Sequence, residues 1–211
     1  MSGVRIKLCG VRTARDADLC ASAGADEIGV VFAPRSRRCV TVATAREIRA
    51  SLPPQVPLIG VFQDASLDEA LRVADEVGLA AVQLHGALPT QGARAAAGIP
   101  LYAAVQIDGD SALARLASVQ GFRRVLLDGP AGGGGGVPFA WSLARDARAL
   151  CAAEVFVGGG LGPSTVAEAI RAARPDGVDV ASGIEGRDGY KDPARVRAFV
   201  DAARAAAREI G

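Results

Sequence analysis

Hydrophobic positions fall along this chain in two alternating rhythms. Short runs rich in Val, Ile and Leu occupy 4–9, 27–32, 57–62, 80–84, 101–106, 124–128, 154–158 and 177–181. Their length and β-branched content predict strands. Longer Ala-rich stretches with apolar residues at helical spacing follow each one, at 13–23, 42–51, 66–77, 90–97, 111–118, 139–150, 163–173 and 193–208. Eight β-then-α repeats predict a parallel sheet, and eight is the number that closes into a TIM (β/α)8 barrel. A doubly wound open sheet is the alternative, but it ends with fewer strands at this length. At 211 residues the chain lies near the lower limit for such a barrel, so its loops must be short. No Ser/Pro-rich linker or shift in composition interrupts the series, which predicts one domain over 1–211. The one low-complexity patch, Gly132 to Gly136, follows the sixth strand.

The first strand sets the inside from the outside. Val4, Ile6 and Leu8 fall on one face, and Arg5, Lys7 and Cys9 on the other. If the apolar face packs under helices, Cys9 points into the barrel mouth with the Lys7 ammonium one repeat below. A thiol there could ionise and act as a base. The plainer alternative is a small buried hydrophobe. Lys7 is expected to be buried and paired with Asp179 on the adjoining last strand, because an unpaired buried ammonium is costly. Its field could also lower the pKa of Cys9.

Composition narrows the function classes. Half the residues are hydrophobic, and the formal net charge is +1. No global field favours nucleic acid or a membrane surface, so any anion site must be built locally. The four cysteines (Cys9, Cys20, Cys39 and Cys151) are scattered without a CxxC pair, and there is a single histidine. A disulfide framework or thiolate zinc site is not expected, and a reducing cytoplasm fits better. Cys20 and Cys151, in helix candidates, read as core filler. The strand-like start within four residues leaves no room for a signal peptide, and no apolar stretch is long enough to cross a bilayer.

In a parallel barrel the residues that end the strands share one rim, where active sites lie. Those positions hold Cys9, Arg38, Gln83, His85, Asp128, Gly158 to Gly160, and Ser182 with Gly183. They supply a thiol, a guanidinium and a carboxylic acid, but no cluster of metal ligands. The two glycine turns follow strands seven and eight, where barrels frequently bind phosphate on backbone N–H groups. Pro163 suits a first helical position after the first of them. Either turn alone could equally be only a tight turn. Asp128 could likewise be only a cap after its strand. His85 and Gln83 are read as rim groups that support the substrate-binding set, outside the catalytic pair.

Taken together, Lys7-Leu8-Cys9-Gly10, Gly24 through Arg38, Gln83-Leu84-His85-Gly86, Leu126-Leu127-Asp128, Gly159-Gly160-Leu161 and Asp179-Val180-Ala181-Ser182-Gly183-Ile184-Glu185 resemble the phosphoribosylanthranilate isomerase family. The resemblance runs over nearly the full chain. It implies a cofactor-free Amadori rearrangement of N-(5-phosphoribosyl)anthranilate to the 1-amino-1-deoxyribulose isomer in tryptophan biosynthesis. It implies Asp128 as general acid at the ring oxygen and Cys9 as general base at C2′. Arg38 would hold the anthranilate carboxylate. Gly159, Gly160, Ser182 and Gly183 would hold the phosphate. It further implies a monomer whose partner is a small phosphorylated substrate, with no nucleic acid and no membrane.

This chemistry requires an Asp128 pKa well above about 4 and a Cys9 that is thiolate part of the time, although a free thiol titrates near 8.5. Several positions depart from the family pattern: Gly135-Gly136-Val137-Pro138 replaces a Gly-x-Gly-Lys run, and Ala140, Gly162, Ala181 and Cys39 replace Asp, Asn, Ser and an aromatic. The loop 129–137 is therefore expected to be mobile without ligand and to order over substrate. Rival readings are the analogous histidine-pathway aldosylamine isomerase, which usually has Asp where this chain has Cys9, a silent phosphate-ligand binder, and a redox-active thiol protein. A metal-dependent epimerase is disfavoured by the single histidine.

Overall fold

A computed structural model of the chain describes residues 3–89, 98–106, 119, 121–129, 141–150 and 152–211. Eight strands, β1 (Arg5–Leu8), β2 (Glu27–Val31), β3 (Leu58–Gln63), β4 (Ala81–His85), β5 (Leu101–Gln106), β6 (Arg124–Asp128), β7 (Glu154–Gly158) and β8 (Gly177–Val180), pair in sequence order into a closed barrel. Every pairing is parallel, including the β8–β1 seam that sets Lys7 opposite Asp179. The described helices are α1 (Ala14–Ser22), α2 (Val42–Ser51), α3 (Leu67–Val77), α4 (Trp141–Leu150), α5 (Val166–Ala173) and α6 (Pro193–Ile210). The helices expected at 90–97 and 111–118 lie outside the described residues. So do Cys151, the glycine run and, apart from Gly129, the loop 129–137.

Local chemistry explains where the helices begin. Thr13, Thr41, Ser66 and Asp192 each accept a backbone N–H of the first turn of α1, α2, α3 and α6. Each such cap contributes about 1 kcal/mol. Ser66 and Glu69 sit at capping-box spacing, Gly78 closes α3 in the left-handed region, and Pro193 opens α6. Strand ends match the expectation to within one residue. Pro163 does not: α5 begins at Val166, because Thr165 Oγ1 and Gly162 engage each other in a preceding turn, Gly162 N donating to Thr165 Oγ1 at 2.9 Å.

The strands are buried on both faces, one toward the helices and one toward the barrel axis. Ile6, Leu8, Ile28, Val30, Val82, Leu127 and Val157 belong to the core shared with the helices. The axis is not wholly apolar. At the amino-terminal end Arg124 is one of the most buried side chains in the molecule, held between the rings of Tyr102 and Phe156 at 4.0 and 3.7 Å. Its fork meets the buried Glu27 at 2.5 and 2.7 Å, and Glu154 completes the cluster at 3.2 Å. A guanidinium can be stacked and bidentate at once, which an ammonium cannot. These groups close the floor of the barrel and leave the opposite end for chemistry.

Removing one partner strands the other as a buried charge. Arg124→Met and Glu27→Gln are each expected to lose about 3–5 kcal/mol in denaturant unfolding. Arg171→Ala, which breaks the exposed Arg171–Glu209 pair, is expected to change nothing measurable in the same assay.

Candidate active site

A cavity of about 360 Å³ opens at the carboxyl ends of the strands. Cys9, Arg38, Gln83, His85, Asp128, Gly159, Gly160 and Ser182 all line it. The parallel closure gathers them, since each ends a strand or lies in the loop just after one. Gly183 is the exception. A side chain there would come within 1.9 Å of the Leu161 carbonyl oxygen, so the residue serves the packing of the last two turns against each other rather than the cavity wall. A second hollow of about 610 Å³ lies at the other end of the barrel. In it Arg5 pairs with Glu154 and Arg148 with Asp176.

Cys9 follows directly on β1, its N–H donating to Val180 O at 2.8 Å. The sulfur lies against Gly29 of β2, where a Cβ would come within 2.7 Å of Sγ. Lys7 sits one repeat below, fully buried, its Nζ donating to Asp179 Oδ1 at 3.0 Å. The expected pair is thus present. Burial works against the Lys7 charge, but Asp179 outweighs it and holds the ammonium in its charged form. Burial pushes the Cys9 thiol up and Asp179 adds to it, while Lys7, as expected, and Lys191 pull it down, so the resting group is mainly the thiol.

Asp128 ends β6, level with Gly158 of β7. A Cβ on Gly158 would stand 3.6 Å from the Cβ of Asp179, and Asp128 and Asp179 line the same cavity. Burial, followed by the Asp179 charge, raises Asp128 to about 6, against the opposing pull of Lys7 and a hydrogen bond from Gln106. The elevated acid that the sequence called for is present, and its cause is a buried site with a second carboxylate.

Arg38 is less free than expected. Its Nε and Nη2 donate to the two carboxylate oxygens of Glu185 at 2.5 and 2.9 Å, and Arg37 adds a bond at 2.7 Å. Arg37 is therefore a member of the cluster as well as an exposed basic residue. Behind them the buried Lys191 donates to Cys9 O at 2.6 Å, to Ala181 O at 3.0 Å and to Glu185 Oε1 at 3.4 Å. Burial pushes the Glu185 carboxyl up, but Arg38, Lys191 and Arg37 together hold it below the usual carboxylate range. Sequence reasoning assigned no role to Glu185 or Lys191. The one signal was Glu185 at the end of the last motif. Lys191, beside the Asp192-Pro193 helix start, reads as a solvated loop residue until the fold brings it under Cys9.

Gln83 is buried and its Nε2 lies 2.9 Å from His85 Nε2. An amide nitrogen only donates, so His85 accepts at Nε2 and carries its proton on Nδ1. Burial, then Lys7, lowers His85 to about 4, which keeps it neutral at physiological pH. It is a fixed polar wall, in keeping with its place outside the catalytic pair. Asp179, Gln63 and Ser36 also line the cavity and were not foreseen there. Among the described residues no group of three His, Cys, Asp or Glu side chains is placed to hold a metal ion, and no helix is long and apolar enough to cross a membrane.

A thiol, a carboxylic acid and a guanidinium around one cavity at the carboxyl ends of eight parallel strands define a (β/α)8-barrel enzyme. The family model for N-(5'phosphoribosyl)anthranilate (PRA) isomerase matches residues 6–202, and the chain belongs to that family. It is 44% identical to the N-(5'-phosphoribosyl)anthranilate isomerase of Myxococcus xanthus, over 95% of this chain and 96% of that one. Against the enzyme of Deinococcus radiodurans the identity is 42%, over 95% and 97%. The crystal structure of phosphoribosyl anthranilate isomerase from Thermotoga maritima superposes with a TM-score of 0.89 at 38% identity, covering 96% of this chain and 99% of that one. A structure of such an isomerase in complex with reduced 1-(o-carboxyphenylamino)-1-deoxyribulose 5-phosphate superposes at 0.86, with 36% identity and the same coverage.

The contact between Gly29 and Cys9 yields a local test. Gly29→Ala is expected to displace the sulfur and lower kcat by about a hundredfold, because ångström-scale misplacement of a reacting group has that cost. Steady-state kinetics beside a thermal unfolding curve checks it, the overpacking against the Cys9 backbone itself lowering stability by about 1–3 kcal/mol.

Proposed function

We propose that this chain converts N-(5-phosphoribosyl)anthranilate to 1-(2-carboxyphenylamino)-1-deoxyribulose 5-phosphate in tryptophan biosynthesis, as a cytoplasmic, one-domain monomer. The carrying observation is that Cys9 and Asp128 line one cavity, with Gly159, Gly160 and Ser182 on one side of it and Arg38 also in its wall. All of these come from one chain, as a monomer requires. The relative bound to the reduced product analogue supports a ligand of the same chemistry.

In this reading Asp128 gives its proton to the furanose ring oxygen while the amine lone pair forms the C1′=N bond and the ring C–O bond breaks. Cys9 then takes the C2′ proton, and the C–H electrons become the C1′=C2′ bond of an enolamine, which tautomerises to the ketone. The backbone of the Gly159-Gly160 turn and Ser182 hold the phosphate, and Arg38 holds the anthranilate carboxylate. The histidine-pathway alternative has no observation in its favour, since it usually employs a carboxylate where Cys9 stands.

The two pKa shifts have a consequence for the resting protonation state. With Asp128 near 6 and Cys9 raised, at neutral pH Asp128 has lost its proton and the sulfur keeps its own. The reactive form, with the proton on Asp128 and thiolate at Cys9, is a minor tautomer with the same proton count. Activity is therefore expected across the window between the two pKa values. Below about 6 a second proton enters, on Asp128. Above the raised Cys9 pKa the thiol proton leaves.

Two measurements test this. The fluorescence decay of freshly formed phosphoribosylanthranilate is expected with wild type, and to slow by on the order of 10²–10⁴ with Cys9→Ser or Asp128→Asn, each folded. Turnover by both variants at the wild-type rate would refute the assignment. In the kcat/KM profile of the wild type, the acid limb is expected near pH 6 and the alkaline limb above the ordinary thiol range. An alkaline limb at pH 6 would reverse the protonation scheme.

A further inference from the structure

Arg38 has two edges on which a carboxylate can dock bidentately, one formed by Nε with a terminal nitrogen and the other by the two terminal nitrogens. Glu185 occupies the first, through Nε and Nη2. Nη1 has no hydrogen-bond partner among the described residues, and Arg38 lines the cavity. Glu185 itself cannot follow a mobile arginine. Its side chain is 2% exposed, and Lys191 pins it from behind while also binding the carbonyls of Cys9 and Ala181. The aliphatic stem of Arg38 is fixed too. It lies over Gly10, where a Cβ would meet Arg38 Cδ at 2.3 Å, so only glycine after Cys9 leaves it room. One arginine is thereby held at its stem and along one edge, by groups tied to the same strand end that carries Cys9.

We propose that Glu185, locked by Lys191, is a positioning residue for substrate recognition: it holds Arg38 so that the Nη1–Nη2 edge alone is presented to a carboxylate on the substrate's aromatic ring. Lys191 links this clamp to the Cys9 backbone and so fixes the spacing between the carboxylate-binding edge and the base. The exposed Arg37 adds a second cation at the rim. Three cations share the one Glu185 carboxylate, so Arg38, the member of the cluster that lines the cavity, is not neutralised by it and suits an anionic group. An unbuttressed Arg38 would lose the rotamer freedom now frozen in the protein only on binding, which weakens the complex.

This inference rests on the reading that Arg38 receives the anthranilate carboxylate, and the test separates the two. The probes are phosphoribosylanthranilate and the aldosylamine formed from aniline and ribose 5-phosphate, which lacks only the carboxylate. Arg38→Met is expected to raise KM for the first by about tenfold or more and to change the second less than twofold. If Arg38→Met affects both substrates equally, the reading of Arg38 fails. Glu185→Gln is expected to reproduce the Arg38→Met pattern, in KM rather than kcat. Equal losses on both substrates, or no loss on either, would overturn the positioning role even with Arg38 confirmed. Glu185→Asp keeps the charge and the fold but withdraws the carboxylate by one methylene. It is expected to show an intermediate KM on the carboxylated substrate alone, and equal effects on the two probes would again refute the role.

Discussion

Lys7 and Asp179 meet at the seam where the last strand closes on the first, and the rest of the site is referred to that pair. A closed parallel barrel leaves its axis without water. Any charge placed there must find its partner in the same or a neighbouring layer, or neutralise. Burial works against the Lys7 charge, and Asp179 opposite it is the foremost of the groups that restore it. Asp179 in turn sets a fixed negative charge close to Asp128, and the shared field reaches the sulfur of Cys9. One ion pair thus fastens the barrel and biases both groups proposed to move protons.

Three buried cations repeat the principle at three levels of the axis. Arg124 with Glu27 fills the floor, Lys7 with Asp179 occupies the middle, and Lys191 with Glu185 braces the rim. The first two bonds span strands far apart in sequence and so record the closure of the barrel, whereas Lys191 and Glu185 face each other across one short loop and reach the first strand through the Cys9 carbonyl. Their chemistry differs with depth. The floor uses a stacked guanidinium that cannot lose its proton. The rim uses an ammonium whose three bonds run to two backbone carbonyls and one carboxylate. The middle pair is the only one of the three whose two members both act on the proposed acid and base.

Much of this was legible before any coordinates. The strand positions could be read because residues buried on both faces form continuous apolar runs, as in 28–31 and 58–62. Strand-end chemistry could be read because the barrel converts sequence position into one rim, which is how Cys9, Asp128 and Arg38 came to share a cavity. What escaped were properties of side-chain direction and loop geometry. Gly183 turned out to face a neighbouring carbonyl rather than the cavity, and Pro163 to precede its helix by a turn. Glu185 and Lys191 escaped because their remaining partners, Arg37, Arg38 and the Cys9 carbonyl, lie elsewhere in the sequence, and a polar loop residue carries no local mark of burial. The sign of the Cys9 shift escaped because counting nearby cations omits the larger cost of removing a thiolate from water.

The central claim is that in the resting site burial keeps the proton on the Cys9 sulfur while Asp128, near 6, has already lost its own. The direct measurement is the thiolate ultraviolet absorbance of the ligand-free protein across pH, taken as the difference between wild type and Cys9→Ser. No Cys9 thiolate is expected at neutral pH, with a rise only above the ordinary thiol range. A thiolate signal already present at pH 7 would contradict that claim.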